Sequence, residues 1–140
     1  MSKVSNNKYI HASIFESFKF SGEQLEADKL LEWKHLSQHL KVLSALLWKR
    51  LDDGAEKYEQ EVPIFEYELN GRDNLAEAIE EIADASVYAT AEKVRLSSKE
   101  YKGNERAQQL IKMLLTYLSY SYLIASELLN VIKKDKLKKE

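Results

Sequence analysis

Apolar positions recur along this chain at steps of three and four, the spacing of amphipathic helices. Residues 1–8 are polar and are expected to be loose. Ile10, Ile14, Phe15 and Phe18 then predict a short helix of about three turns over Tyr9 to Phe20. Ser21-Gly22-Glu23-Gln24 matches a capping box, with Ser21 as N-cap and Gln24 three residues on. Behind it, Trp33, Leu36, Leu40, Leu43, Leu47 and Leu51 make the stripe of a long helix. Leu46 and Trp48 widen that stripe towards a core-facing width. Gly54 weakens the helix near its end, and Pro63 stops any continuation. Residues 61–70 alternate like a strand, yet no partner strand occurs. They predict an extended loop anchored by Phe65 and by Tyr67 or Leu69.

A second long helix is predicted from Leu75 to Leu96, entered through a Gly71 turn and an Asp73-Asn74 cap. After a turn over Ser97 to Gly103, Asn104 caps a third. That helix carries Leu110, Met113, Leu114, Tyr117, Ser121, Ile124, Ala125, Leu128 and Val131 or Ile132 along one stripe. Leu115, Leu118, Tyr122 and Leu123 fall outside it, so the helix should be buried on most sides, centrally or at an oligomer interface. Lysines crowd residues 133–140, where cations suit a helix C-terminus. Residues 134–140 are expected to be loose. The expected fold is all-α: an antiparallel helical bundle of three long helices plus a short N-terminal helix, in one domain over residues 1–140. A homo-oligomer is expected as well, because the last helix has more apolar surface than a small monomer needs.

Composition narrows the possibilities without naming one. At 140 residues, 44% hydrophobic and 31% charged, the chain has an ordinary globular balance. Its 21 basic and 23 acidic residues leave a net charge of −2, which gives no general electrostatic reason to bind nucleic acid or an anionic membrane. The absence of cysteine excludes disulfides, thiolate catalysis and zinc–sulfur sites. With a polar N-terminus and an uncharged run, Met113 to Ser126, too short to span a bilayer, the expectation is a soluble cytoplasmic protein.

The stretch that stands out is Gly71 to Tyr88. On a helix, Leu75, Ala78, Ile79, Ile82, Ser86 and Ala89 share one face, and Glu77, Glu80, Glu81 and Asp84 cluster opposite. A charge run of this kind is most often a solvated face. Two features set this one apart. Like carboxylates at these spacings repel by some tenths of a kcal/mol per pair, and no Lys or Arg occurs between Arg72 and Lys93. The acidic face also continues into Val87, Tyr88 and Ala91, which predicts that something covers its second half. Carboxylates at the edge of a covered face, without basic partners, suit a hard divalent cation such as Mg²⁺.

The Glu-x-x-Asp of Glu81 and Asp84, preceded by Glu77 and Glu80, resembles the second metal-binding helix of the all-α nucleoside triphosphate pyrophosphohydrolases, the MazG-like superfamily. The run GRDNLAEAIEEIADASVYATAE also looks like a helix of small phage-type proteins of that kind. The resemblance covers about residues 54–96. It implies a Glu-x-x-Glu on a neighbouring helix facing this one, Mg²⁺ held between them, and water attacking the phosphate chain of a nucleotide. Glu77, Glu81, Asp84, Glu56 and Glu59 would then be metal ligands, and Glu80 and Glu81 the catalytic, water-orienting acids. Glu56 and Glu59 fall past Gly54 rather than mid-helix, and Glu23/Glu26, the other such pair, already serves a helix start. Arg72, Lys57 and Lys93 are candidates for phosphate oxygens, with Tyr88 for a base.

Other constellations carry less. Glu32-x-x-His35 is half of a carboxylate-bridged di-iron motif with no second copy in the chain. His35 and His39 are one turn apart without a third ligand, and core packing accounts for Trp33 and Trp48 better than base stacking. No glycine-rich phosphate loop occurs. Two functions therefore follow from the residues. One is a metal-dependent nucleotide pyrophosphohydrolase or nucleotide-binding relative. The other is a non-catalytic, phage-type helical interaction or inhibitor protein whose acidic face binds a basic protein surface.

Overall fold

The computed structural model describes residues 5–30, 33–98, 100 and 102–139. Among them it is all-helical, with α1 (Asn6–Ala27), α2 (Trp33–Tyr58), the single turn α3 (Glu66–Leu69), α4 (Asn74–Leu96) and α5 (Glu105–Lys139). The contacts divide the chain into two compact units, Met1–Arg72 and Asp73–Glu140. Each unit is built around one pair of packed helices, α1 with α2 and α4 with α5.

In the first unit α1 and α2 run antiparallel. Asn7 Nδ2 donates to the Leu51 carbonyl at 3.2 Å, His11 Nε2 lies 3.1 Å from the Ser44 carbonyl, and Gly22 meets Leu36. The predicted α2 stripe faces inward: Leu36 and Leu51 are buried and Leu40, Leu43 and Leu47 half-buried. Leu46 is exposed and does not widen it, whereas the Trp48 ring stacks on His11 with centroids 4.2 Å apart. The Trp33 side chain lies outside the described residues.

Helix α1 departs most from expectation. It is 22 residues long and passes through the predicted capping box at Ser21 without a break. Gly22 is there for close approach: a Cβ on it would sit 2.1 Å from Leu36 Cδ1, so only glycine lets the two helices come together at that level. The helix ends further on in a Schellman motif. Leu30 N–H donates to the Leu25 carbonyl and Lys29 N–H to the Glu26 carbonyl, both at 2.8 Å, around Lys29 at φ +60°. The true start is Ser5, whose side chain accepts from Lys8 N–H. Asn6 to Lys8, expected to be loose, are thus helical, and Asn6 and Asn7 are buried.

The segment after α2 is held by polar side chains. Asn7 Oδ1 accepts from Val62 N–H at 3.2 Å, and Asn6 Nδ2 donates to the Val62 carbonyl at 3.0 Å. Glu61 accepts from Ser5 Oγ and from Asn6 N–H. Glu68 Oε1 accepts from Ile64 N–H and Phe65 N–H, closing the α3 turn as a capping-box glutamate does. Phe65 and Tyr67, the predicted anchors, are exposed, Tyr67 by 80%; Pro63 is the buried residue and Leu69 is half-buried.

In the second unit the predicted bounds of α4 and the predicted start of α5 hold. Asp73 caps α4 by accepting from Leu75 N–H and Ala76 N–H, after Gly71 at φ +84°. Asn104 Oδ1 accepts from Ala107 N–H to cap α5, and Gln108 Nε2 ties the α5 start to the Leu96 carbonyl. The eight-residue connection makes α4 and α5 antiparallel neighbours. At 35 residues α5 is about 52 Å long against about 34 Å for α4, so its last turns run past the start of its partner. Helix continues to Lys139, where residues 134–140 were expected to be loose.

Candidate functional site

The acidic side chains lie where an antiparallel pair leaves α4 uncovered. Leu75, Ala76, Ile79, Ile82, Ala85, Ser86 and Ala89 turn towards α5, all half-buried or buried, while Ala78 from the predicted face is exposed. Glu77, Glu80, Glu81 and Asp84 are all exposed. Among the described residues, Glu80, Glu81 and Asp84 have no hydrogen bond or ion pair, so their mutual repulsion is relieved only by solvent. The continuation of this face is not covered as expected. Val87 is 66% and Tyr88 75% exposed, and Ala91 is exposed too. What α4 presents is an open surface, acidic in its first half and apolar in its second.

The first unit holds the remaining predicted residues except Lys93. Glu56 is exposed on the last turn of α2, and Glu59 lies beyond the helix end at φ +56°. The left-handed step at Glu59 takes its carboxylate off the i, i+3 register that a Glu-x-x-Glu ligand pair needs. Arg72 and Lys57, by contrast, are brought together. The Arg72 guanidinium lies over the Tyr58 ring at 4.2 Å and Lys57 Nζ 5.2 Å from its centroid, two cations against one aromatic ring. Lys93 is exposed on the last turn of α4. His35 and His39 sit edge to face, 6.5 Å apart, both exposed; Glu32 lies outside the described residues.

Among the described residues no group of three or more His, Asp or Glu side chains converges to hold a metal ion. The described residues alone therefore do not gather the several oxygen donors around one point that a preformed Mg²⁺ site needs. A shallow cavity of about 460 Å³ beside α3 is lined by Asn6, Glu61, Pro63, Tyr67 and Glu68 among others. Its carboxylates are already engaged by Ser5, Asn6 and the backbone of residues 64 and 65, so it works as a latch between the helix start and the loop. Nothing in the hydrophobic periodicity signals this network; the adjacent polar pair Asn6-Asn7 ahead of the first apolar stripe is its only trace in the sequence.

Comparison with family models, with curated proteins and with solved structures finds no match to this chain. No helix among the described residues is long and apolar enough to cross a membrane.

Proposed function

We propose that this is a non-catalytic helical interaction protein that docks the outer face of α4 onto a basic surface of another protein. The carrying observation is the composition of that face: Glu80, Glu81 and Asp84, exposed and without partners among the described residues, continuous with the exposed Val87 and Tyr88. A partner's lysines or arginines would relieve the repulsion among the carboxylates. Tyr88 and Val87 would supply the apolar area and the aromatic anchor that charges alone do not give. Helical scaffolding suits this use, since rigid elements hold such a surface without an ordering cost on binding.

The test is a displayed library of basic amphipathic helices, with the selected peptides measured by fluorescence anisotropy. Affinity should fall steeply with added salt. It should drop by at least about tenfold in Glu80→Lys/Glu81→Lys, where two attractions become two repulsions. A library that yields no binder, or binding indifferent to the double charge reversal, defeats the proposal.

The second reading is a nucleotide-binding or pyrophosphohydrolase-like protein using Mg²⁺. The convergence of Lys57 and Arg72 on Tyr58 favours it, because two cations beside an aromatic ring can hold a phosphate and a base. Against it stands the lack of converging carboxylates among the described residues. A thermal shift on adding nucleotide with Mg²⁺, lost in Arg72→Ala, would favour this reading over the first.

A further inference from the structure

Helix α5 carries two apolar seams, one covered and one open. Ile111, Leu115, Leu118, Ala125 and Leu129 follow three-four spacing apart from one double step across the exposed Tyr122, are buried or half-buried, and lie on the helix that pairs with α4. One residue before each of these stands a second seam, Leu110, Leu114, Tyr117, Ile124 and Leu128, which Ser121 and Val131 complete at the same spacing. A one-residue offset turns it by about 100° from the first. Every member is exposed, Ile124 by 69%. Most of the stripe that the sequence marks as core is thus the face that the hairpin leaves open.

We infer that this second seam is the interface of an antiparallel, two-fold symmetric dimer between copies of this chain. Area is the first ground. The exposed parts of the six large seam residues and the adjacent Tyr120 come to about 700 Å², beyond the roughly 300–600 Å² of the largest patch on a typical monomer and near the roughly 800 Å² per partner of a stable complex. Spacing is the second. Strict three-four alternation over seven positions is the pattern of helices packing along a common seam, not of a scattered wet surface.

Charge and side-chain size set the direction. A parallel pair would lay Lys133, Lys134, Lys136 and Lys138 beside their own copies, eight cations in a few turns. An antiparallel pair sends the two lysine-rich ends to opposite ends of a helix about 52 Å long, several screening lengths apart. Its two-fold axis falls at Ser121, the one small residue of the seam, where two helices can approach most closely. Leu114 then meets Leu128 of the second copy, Leu110 meets Val131, and Tyr117 meets Ile124. Such a dimer presents the α4 surface twice, so a partner with two basic sites would bind with avidity.

Sedimentation equilibrium of the full chain over a wide concentration range tests the dimer, and cysteine pairing tests its direction. The mass should be twice 16.2 kDa. Ile124→Arg should weaken association at least about a hundredfold with the helix content unchanged by circular dichroism, because it buries an unpaired charge at the seam. Because the chain has no cysteine of its own, introduced ones report cleanly. Under a mild oxidant, Leu110→Cys mixed with Val131→Cys should give the mixed disulfide dimer, and Leu110→Cys alone should not cross-link. A monomer at every concentration would overturn the inference and leave the seam to another segment of the chain or to a different protein. A dimer indifferent to Ile124→Arg, or Leu110→Cys pairing with itself, would overturn the interface or its direction. Ile124 and Leu110 lie on α5, so loss of the dimer leaves the α4 surface intact and the two proposals fail separately.

Discussion

Replacing Gly22 by alanine pits helix propensity against helix packing in the first unit. In an unobstructed helix interior the change should stabilise by about 1 kcal/mol. At Gly22 the new Cβ would lie 2.1 Å from Leu36 Cδ1 and 3.2 Å from both Cδ2 and Cγ. Carbon atoms prefer separations of about 3.5–4.0 Å, so the leucine or the helix must move by more than 1 Å. Leu36 is 3% exposed and has little space to retreat into. Overpacking of this kind costs about 1–3 kcal/mol, so Gly22→Ala should destabilise the unit by about 1 kcal/mol net. Gly54→Ala is the matched control: it is the same substitution within a helix, with nothing within 4 Å of the new Cβ, and should stabilise by about 1 kcal/mol. In a Leu36→Ala background, which removes the obstructing methyls, Gly22→Ala should turn stabilising, giving a coupling of about 2 kcal/mol in the double-mutant cycle. Urea unfolding followed by tryptophan fluorescence reads the right unit, since Trp33 and Trp48 are the chain's two tryptophans and both belong to residues 1–72. If Gly22→Ala stabilised as much as Gly54→Ala in the unaltered background, the close crossing of α1 and α2 would be wrong.

Substitutions at two further positions test the latch and the end of α1 in the same unit by the same assay. Asn7→Ala should cost about 1–3 kcal/mol, chiefly by stranding the Val62 N–H; Asn7→Asp, which keeps that acceptor but aims a carboxylate at the Leu51 carbonyl, should not recover it. No loss in either variant would remove the latch from the account. Lys29→Gly should stabilise by about 0.5–1 kcal/mol by relieving a left-handed backbone that a Cβ disfavours, and a loss of stability would contradict the Schellman ending of α1.

Where a helix begins or ends on a side-chain or glycine signal, the sequence could be read closely. Asp73, Asn104 and Gly71 placed α4 and the start of α5 correctly because each does locally what its chemistry suggests. The α1–α2 turn was misplaced for the opposite reason. Its left-handed residue is Lys29, which carries no turn signature, while Ser21 and Gly22 imitate a boundary and serve a helix interior and a close crossing. In the loop after α2, aromatic residues were expected to act as anchors, but buried amides and carboxylates do the work. For α5, periodicity showed that two faces are apolar but could not tell which one α4 covers, because seams one residue apart have the same spacing. The acidic run of α4 was legible as a distinctive surface. Whether other carboxylates meet it is a property of tertiary contacts that one helix's sequence does not contain.

We propose that the α4 acids form a docking surface and not half of a catalytic metal centre. The most direct measurement is pyrophosphate release from a panel of ribo- and deoxynucleoside triphosphates, incubated with the protein and either Mg²⁺ or Mn²⁺. No release above a protein-free blank is expected. Release that scales with protein concentration and disappears in both Glu81→Gln and Asp84→Asn would contradict it and make the acidic face of α4 a catalytic one.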